Sequence, residues 1–387
     1  MRGLFILLTA TSAAAGQAVS FVAVSGPPGV PRAISGDGSA VVLQGFTFPF
    51  GWTPHRWRPE LGFEHLGYPG TASAVSFDGR AISGFYWSEQ TGTVASLWTE
   101  SSGVQWPLTP WVGEGQAISS DGAYVAIGGG TSFSNVVRWH AGQIVSVSPG
   151  GTEFADAIGV STGGGLVVSV VKDKAGPERS YLWREGAGFV EFPRLNPSYA
   201  FQARDMSQNG RVVVGVAGLG SGQSAAARWT AHGIRQLFPT ESASAALVSG
   251  DGWTVVGGSA QFPSTRFIWD PVHGPRDFRE QLSLWGITAH QEWAAFEPVD
   301  ISSDGRTVVG HGHEGTGQYA MWVATIPAFC YANCDGSTAS PGLNVADFTC
   351  FLRRFASGDV YGNCDNDGFI NVADFVCFLQ KFAAGCP

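Results

Sequence analysis

The sequence predicts an all-β seven-bladed β-propeller followed by a small α module of two calcium-binding loop-helix units. Three observations carry this prediction. A turn motif of the form apolar-Ser-x-Asp-Gly recurs seven times at a spacing of about 42 residues, and each copy leads into a β-branched run. A tryptophan follows each copy after a variable loop: Trp57, Trp98, Trp139, Trp183, Trp229, Trp269 and Trp322. All six cysteines, with a duplicated pattern of oxygen-bearing side chains, fall in residues 330–387.

The chain opens on Met1-Arg2, an apolar run from Leu4 to Ala10, and small residues up to Ala18. This predicts a secretory signal peptide over residues 1–18, and so an extracellular or cell-surface protein of a bacterial secretory pathway. No later stretch reaches the roughly 18 uninterrupted apolar residues that a transmembrane helix needs.

Residues 19–327 hold the repeats. Ser35-Gly36-Asp37-Gly38, Ser76-Phe77-Asp78-Gly79, Ser119-Ser120-Asp121-Gly122, Ser249-Gly250-Asp251-Gly252 and Ser302-Ser303-Asp304-Gly305 carry the full motif. Gly163 and Asn209 replace the aspartate in the fourth and fifth copies. The apolar-Ser segment predicts the end of a first strand, and Asp-Gly predicts a tight hairpin turn. A Val-rich second strand follows, then a third ending near the tryptophan, then a short fourth such as Leu61 to Leu66. Four strands per period is the propeller signature. The seventh repeat has no fourth strand, whereas an orphan strand, Val19 to Val24, precedes the first repeat. Pairing the two closes the ring and removes both exposed sheet edges. Arg276 to Leu282, in the longer seventh period, is expected to form a short helix. Residue by residue, the repeat resembles the HAF repeat of extracellular bacterial proteins, which implies location and fold but no particular chemistry.

Residues 328–387 form the second unit. Between Asn363 and Asp374, the side chains of Asn363, Asp365, Asp367, Asn371 and Asp374 stand at loop positions 1, 3, 5, 9 and 12. The carbonyl of Phe369 stands at position 7 and Gly368 at the sharp turn. A hard cation bound by six to eight oxygens needs this EF-hand-like spacing. The first copy offers Asn333, Asp335 and Ser337, then three extra residues before Asn344 and Asp347. Its length and the neutral Ser337 predict weaker calcium binding, so one or two ions are expected. After each loop, Phe348, Phe351, Leu352 and Phe355 recur as Phe375, Phe378, Leu379 and Phe382, one face of a short helix. So small a unit needs disulfides to hold it. Six cysteines allow fifteen connectivities. The internal symmetry favours Cys330–Cys386 as a terminal clamp, with Cys334–Cys350 and Cys364–Cys377 within the halves. A zinc site is disfavoured, because this region has no histidine and no paired C-x-x-C spacing.

These residues resemble a dockerin of the cysteine-rich (GC) type. The resemblance implies calcium-dependent docking onto a cohesin-like domain on a scaffold or cell surface. It also assigns the partner-reading positions to Val345, Ala346, Val372 and Ala373, which are apolar and identical in the two halves.

A net charge of −9 and the lack of a basic cluster exclude nucleic acid as a partner. No catalytic residue is assigned, because the motif aspartates read as turn formers and a sevenfold repeated serine cannot be a unique nucleophile. His311-Gly312-His313-Glu314, after the Val-Val-Gly strand of the seventh repeat, is expected as an exposed polar loop, with metal ligation by its two histidines the alternative. Phe46, Phe48, Phe50 and Trp52 in the first repeat, with Phe85, Tyr86 and Trp87 in the second, suggest an aromatic platform for a sugar or peptide. The favoured function is a non-catalytic secreted or surface-anchored propeller that binds a carbohydrate or protein ligand. The alternative is an extracellular polysaccharide-active hydrolase or lyase.

Overall fold

In a computed structural model of the chain, the described residues are 19–26, 29–47, 51–128, 135–147, 154–171, 178–237, 242–262, 264–315, 317–337 and 342–386. The expected signal peptide, residues 1–18, lies outside them.

The turn motif folds by closing a small hydrogen-bond cage. In blade one, the Ser35 hydroxyl donates to Asp37 Oδ1 at 2.6 Å and accepts from the Ala40 amide at 2.9 Å. Asp37 Oδ1 also accepts from the Ser39 amide at 2.9 Å, and Gly38 supplies the left-handed φ of 73°. Asp78, Asp121, Asn209, Asp251 and Asp304 repeat the pattern. In blade four, which has Gly163, the Ser161 hydroxyl still accepts from the Gly165 amide at 3.1 Å.

Among the described residues the strands form seven antiparallel four-stranded sheets. In blade one these strands are β2 (Gly29–Ile34), β3 (Val41–Thr47), β4 (Gly51–Arg58) and β5 (Gly62–His65), in that spatial order. Blade seven is built from Ala295–Ile301, Thr307–His313 and Tyr319–Thr325, and its outer strand is β1 (Ser20–Val24). The register runs from Ser20 opposite Thr325 to Val24 opposite Met321. The first strand among the described residues therefore closes the ring.

Six of the seven tryptophans share one register, opposite the first or second residue of the Val-rich strand, as in Trp57 opposite Val41 and Trp229 opposite Val213. Trp322 departs from it. It lies opposite Gly310, two residues nearer the hairpin, where a Cβ on Gly310 would overlap its ring. There it stacks on Phe296 at 4.1 Å and on Phe21 of β1 at 5.8 Å, so it packs the closing strand. The helix of this region, α1 (Phe278–Leu284), starts two residues later than the sequence suggests. Asp277 caps it by accepting from the Glu280 amide at 2.9 Å, and Arg276 and Asp277 belong to the preceding strand, Gly274–Asp277.

All seven inner strands break register once, as between Pro31 and Ala33 or Ala203 and Asp205. A bulge bends a strand and re-aims one side chain. Its sevenfold recurrence sets the tunnel wall.

The C-terminal unit pairs α2 (Val345–Ala356) with α3 (Val372–Ala384), both opened by capping boxes, Asn344/Asp347 and Asn371/Asp374. Phe351 and Phe378 stack across the pair at 3.9 Å and are fully buried. Leu352 and Leu379, expected on the buried face, are each 39% exposed. They sit at the edge of the stripe, and the phenylalanines fill its centre. Disulfides join Cys330–Cys386, Cys334–Cys350 and Cys364–Cys377. Trp253 of blade six is buried within this unit's own core, 4.7 Å from the Tyr331 ring. No helix among the described residues is long and apolar enough to cross a membrane.

Candidate functional site

At one end of the tunnel the motif turns close on the axis. The Asp37 amide donates to Phe77 O, the Gln208 amide to Gly250 O, and the Ser303 amide to Gly36 O, at 2.8–3.1 Å. The Gln208 side chain of blade five donates to the Ser303 hydroxyl of blade seven. A Cβ on Gly36 would overlap side chains from blades two, five and seven, so glycine is what lets the turns meet there. The strand-two-to-strand-three hairpins lie at the opposite end.

The tunnel encloses about 280 Å³. Its wall carries the bulge residues Arg32, Ser73, Gln116, Ile158, Arg204, Ala246 and Val299. Burial and Asp156 hold the Glu114 carboxyl above its ordinary range, against the opposing Arg32 charge. Two aspartates missed from sequence, Asp205 and Asp300, follow bulges in blades five and seven. Each reaches the next blade: Asp205 accepts from the Val248 amide at 2.7 Å, and Asp300 from the Ile34 amide at 2.8 Å. Each also accepts the amide of its own successor. Burial, and the second carboxylate nearby, push Asp205 up to about 8. Burial pushes Asp300 up to about 6. Their oxygens accept from backbone amides that staple neighbouring blades.

Of the aromatic residues expected to form a platform, Phe46 and Trp52 are in ring contact. Phe46 and Trp52 face each other across the blade-one hairpin, edge to face at 5.6 Å, with 50% and 53% exposure. Trp87 is also exposed, and Phe85 is half-buried. Tyr86 does not join them. Alternate strand residues point to opposite faces, and its ring stacks on Trp106 at 3.9 Å and on Tyr68 at 6.3 Å. Phe48 and Phe50 lie outside the described residues. His311 and His313 lie within a strand of blade seven, not in a loop, and both flank Tyr319. No group of three or more His, Cys, Asp or Glu side chains suited to a metal occurs among the described residues.

The two C-terminal loops share one hydrogen-bond pattern. In the second, Asp365 accepts from the Asp367 amide and Asp367 from the Phe369 amide, both at 2.8 Å, while Asn371 accepts from Ala373 to cap α3. Asp374, fully buried, accepts from the Asn371 amide at 2.9 Å and the Asp365 amide at 3.4 Å. In the first, Asp335 accepts from Ser337, Asn344 from Ala346, and buried Asp347 from Asn344 and Asp335. At position 1 of each loop, Asn333 Oδ1 and Asn363 Oδ1 are buried with no hydrogen-bond partner. A buried acceptor left unpaired costs about 1–3 kcal/mol. The same orphan twice, ringed by oriented carboxylates, is a donor set that fits a hard cation.

Val345 and Val372 open their helices at 78% and 74% exposure, with Ala346 and Ala373 exposed beside them. Leu352 on α2, and Val376 and Leu379 on α3, extend these apolar edges.

No protein-family model matches this chain, and no curated protein matches it in sequence. Solved structures do match its fold. The β-propeller domain of the Trilobed protease from Pyrococcus furiosus aligns at a TM-score of 0.52 and 12% identity, covering 78% of this chain and 94% of that one. An inactive virginiamycin B lyase from Staphylococcus aureus, with quinupristin, aligns at 0.50 and 12%, covering 80% and 99%. TolB from Acinetobacter baumannii aligns at 0.43 and 14%, and this chain covers 75% of itself and 65% of TolB. At such identities the likeness concerns the propeller fold alone.

Proposed function

We propose that this is an exported, non-catalytic propeller that binds its ligand at the open rim and is tethered through a calcium-loaded, dockerin-like C-terminal unit. The observation that carries the reading is the pair of equivalent orphaned oxygens, Asn333 Oδ1 and Asn363 Oδ1, each set in the same array of Asx-oriented carboxylates. Asn363, Asp365, Asp367, the Phe369 carbonyl, Asn371 and Asp374 would hold one ion. Asn333, Asp335, Ser337, Asn344 and Asp347 would hold a second, weaker one. The ion would neutralise the buried carboxylates and fix the helix starts, which present the apolar pairs Val345/Ala346 and Val372/Ala373. Three disulfides are compatible with an oxidising, extracellular setting. At the rim, the exposed Phe46/Trp52 pair and Trp87 offer faces suited to a sugar ring or an apolar peptide side chain.

Calcium titration of the mature chain by calorimetry, followed by capture on a panel of immobilised cohesin domains, tests the reading. One tight and one weaker ion are expected. Capture should require calcium and should be lost in Val372→Asp. No binding at millimolar calcium would remove the metal role, and calcium binding without cohesin capture would remove the tether.

A further inference from the structure

We propose that blades five and six clamp the second C-terminal loop, so that bound calcium, the C-terminal unit and the propeller behave as one cooperative body. The inference rests on the calcium reading above. It starts from one blade junction that departs from two others built on the same arginine.

Arg56, Arg138 and Arg228 each precede the tryptophan of blades one, three and five. Each donates to the carbonyl of the motif glycine in the next blade: Gly79 at 2.8 Å, Gly164 at 3.4 Å and Gly252 at 3.1 Å. The first two arginines also reach a glutamate two residues beyond the next tryptophan, Glu100 at 3.2 Å and Glu185 at 2.8 Å, and Arg56 pairs more closely with Glu64 of its own blade at 2.7 Å. At the blade-five junction that position is Pro271. Arg228 donates instead to Asn366 Oδ1 of the C-terminal loop, at 2.8 Å, in a fully buried contact. The repeat's inter-blade arginine has been turned to a different partner.

Asn366 is built for that contact. It holds a left-handed φ of 59°, which asparagine tolerates better than most residues, and its amide nitrogen approaches Asp251 O at 3.5 Å. Beside it, Arg211 donates to the carbonyl of Asp365 at 2.7 Å. The Gly368 backbone lies so close to Ala231 that a Cβ on Gly368 would overlap the Ala231 methyl. The first loop is placed likewise. Gly336, at the position equivalent to Asn366, lies against Val272 and His273 of blade six. Ala231 and His273 occupy equivalent third-to-fourth-strand turns of neighbouring blades. Each C-terminal loop thus rests on a third-to-fourth-strand turn, the second on blade five and the first on blade six.

Residues 365–368 therefore belong both to the oxygen array, through Asp365 and Asp367, and to the contact with the propeller, and whichever side orders them lowers the entropy cost for the other. Coupling of this kind is reciprocal: calcium should tighten the docking, and docking should tighten calcium. Orientation follows as well, because the clamp fixes the exposed edges of α2 and α3 relative to the rim.

The test uses the full mature chain as wild type, Ala231→Leu and Arg228→Met, by calcium titration and by scanning calorimetry with calcium or chelator. Wild type is expected to unfold in one transition that calcium raises. Ala231→Leu, a wedge on an exposed turn, should weaken the tighter calcium site about tenfold. It should also split unfolding into two transitions, with calcium moving only the smaller. Arg228→Met should do the same. If burial of that site makes this variant misfold, Ala231→Leu decides alone. Two independent wild-type transitions, or wild-type behaviour in Ala231→Leu, would overturn the clamp while leaving calcium binding intact. A wild type that binds no calcium would sink the calcium reading, and this inference with it.

Discussion

Asp205 should make the propeller lose stability as pH rises through neutrality. Its carboxyl is fully buried, and although it accepts from two backbone amides it is held at about 8, with Asp300 adding to the burial penalty. In the unfolded chain it titrates near the ordinary aspartate value of about 3.9. A folded pKa raised above the unfolded one contributes stability that is fully present below about 4 and is lost as pH rises through about 8. Between those limits the native state binds one proton more than the unfolded state, a slope of about 1.4 kcal/mol per pH unit. Asp300, held at about 6, adds a similar slope mainly below pH 6. The window from pH 6 to 8 therefore isolates Asp205, at about 2 kcal/mol. Urea unfolding of wild type and Asp205→Asn across that window measures it. Comparing slopes rather than midpoints removes whatever the substitution itself costs. The reasoning fails if the two slopes are parallel between pH 6 and 8.

Two further outcomes are expected. Trp253→Ala removes a ring that is 3% exposed and shared by blade six and the C-terminal core, a loss of about 3–5 kcal/mol at that contact. Limited proteolysis should then release the C-terminal unit while circular dichroism retains the strand signal of the propeller. Replacing Cys330 and Cys386 together with serine opens the largest disulfide loop, with a sequence separation of 56, at about 4 kcal/mol by chain entropy. Opening Cys364–Cys377, with a separation of 13, should cost about 3 kcal/mol, so denaturant midpoints should rank the first variant as the less stable.

The blades were legible because their signal is local and repeated. Ser-x-Asp-Gly specifies its own turn by side-chain bonds within five residues, and five such turns, with Asn209 and Gly163 variants at the same spacing, leave few other folds open. The strand swap at the ring closure followed from one orphan strand and one missing strand. The inner-strand bulges left no trace, since the residues at the break run from Arg32 to Ala246 with no shared chemistry. Tyr86 was misplaced because three successive aromatics were read as one surface, which strand alternation forbids. Asp205 and Asp300 stand among ordinary strand residues, and only their bonds to the next blade distinguish them. The docking of Arg228 on Asn366 joins residues 138 apart and carries no periodic mark. Its one visible hint was negative, a proline where two other junctions hold a glutamate.

The pairing of Ser20 with Thr325 has a kinetic consequence. In order of emergence, β1 precedes its partner strand by the length of six blades. Blades one to six can each assemble from contiguous chain as it emerges. Blade seven cannot, because its outer strand precedes blade one and its other three strands follow blade six. The final step of propeller folding is then the capture of a waiting strand. Until that capture, the edge of Tyr319–Thr325 is an open template for any extended segment nearby.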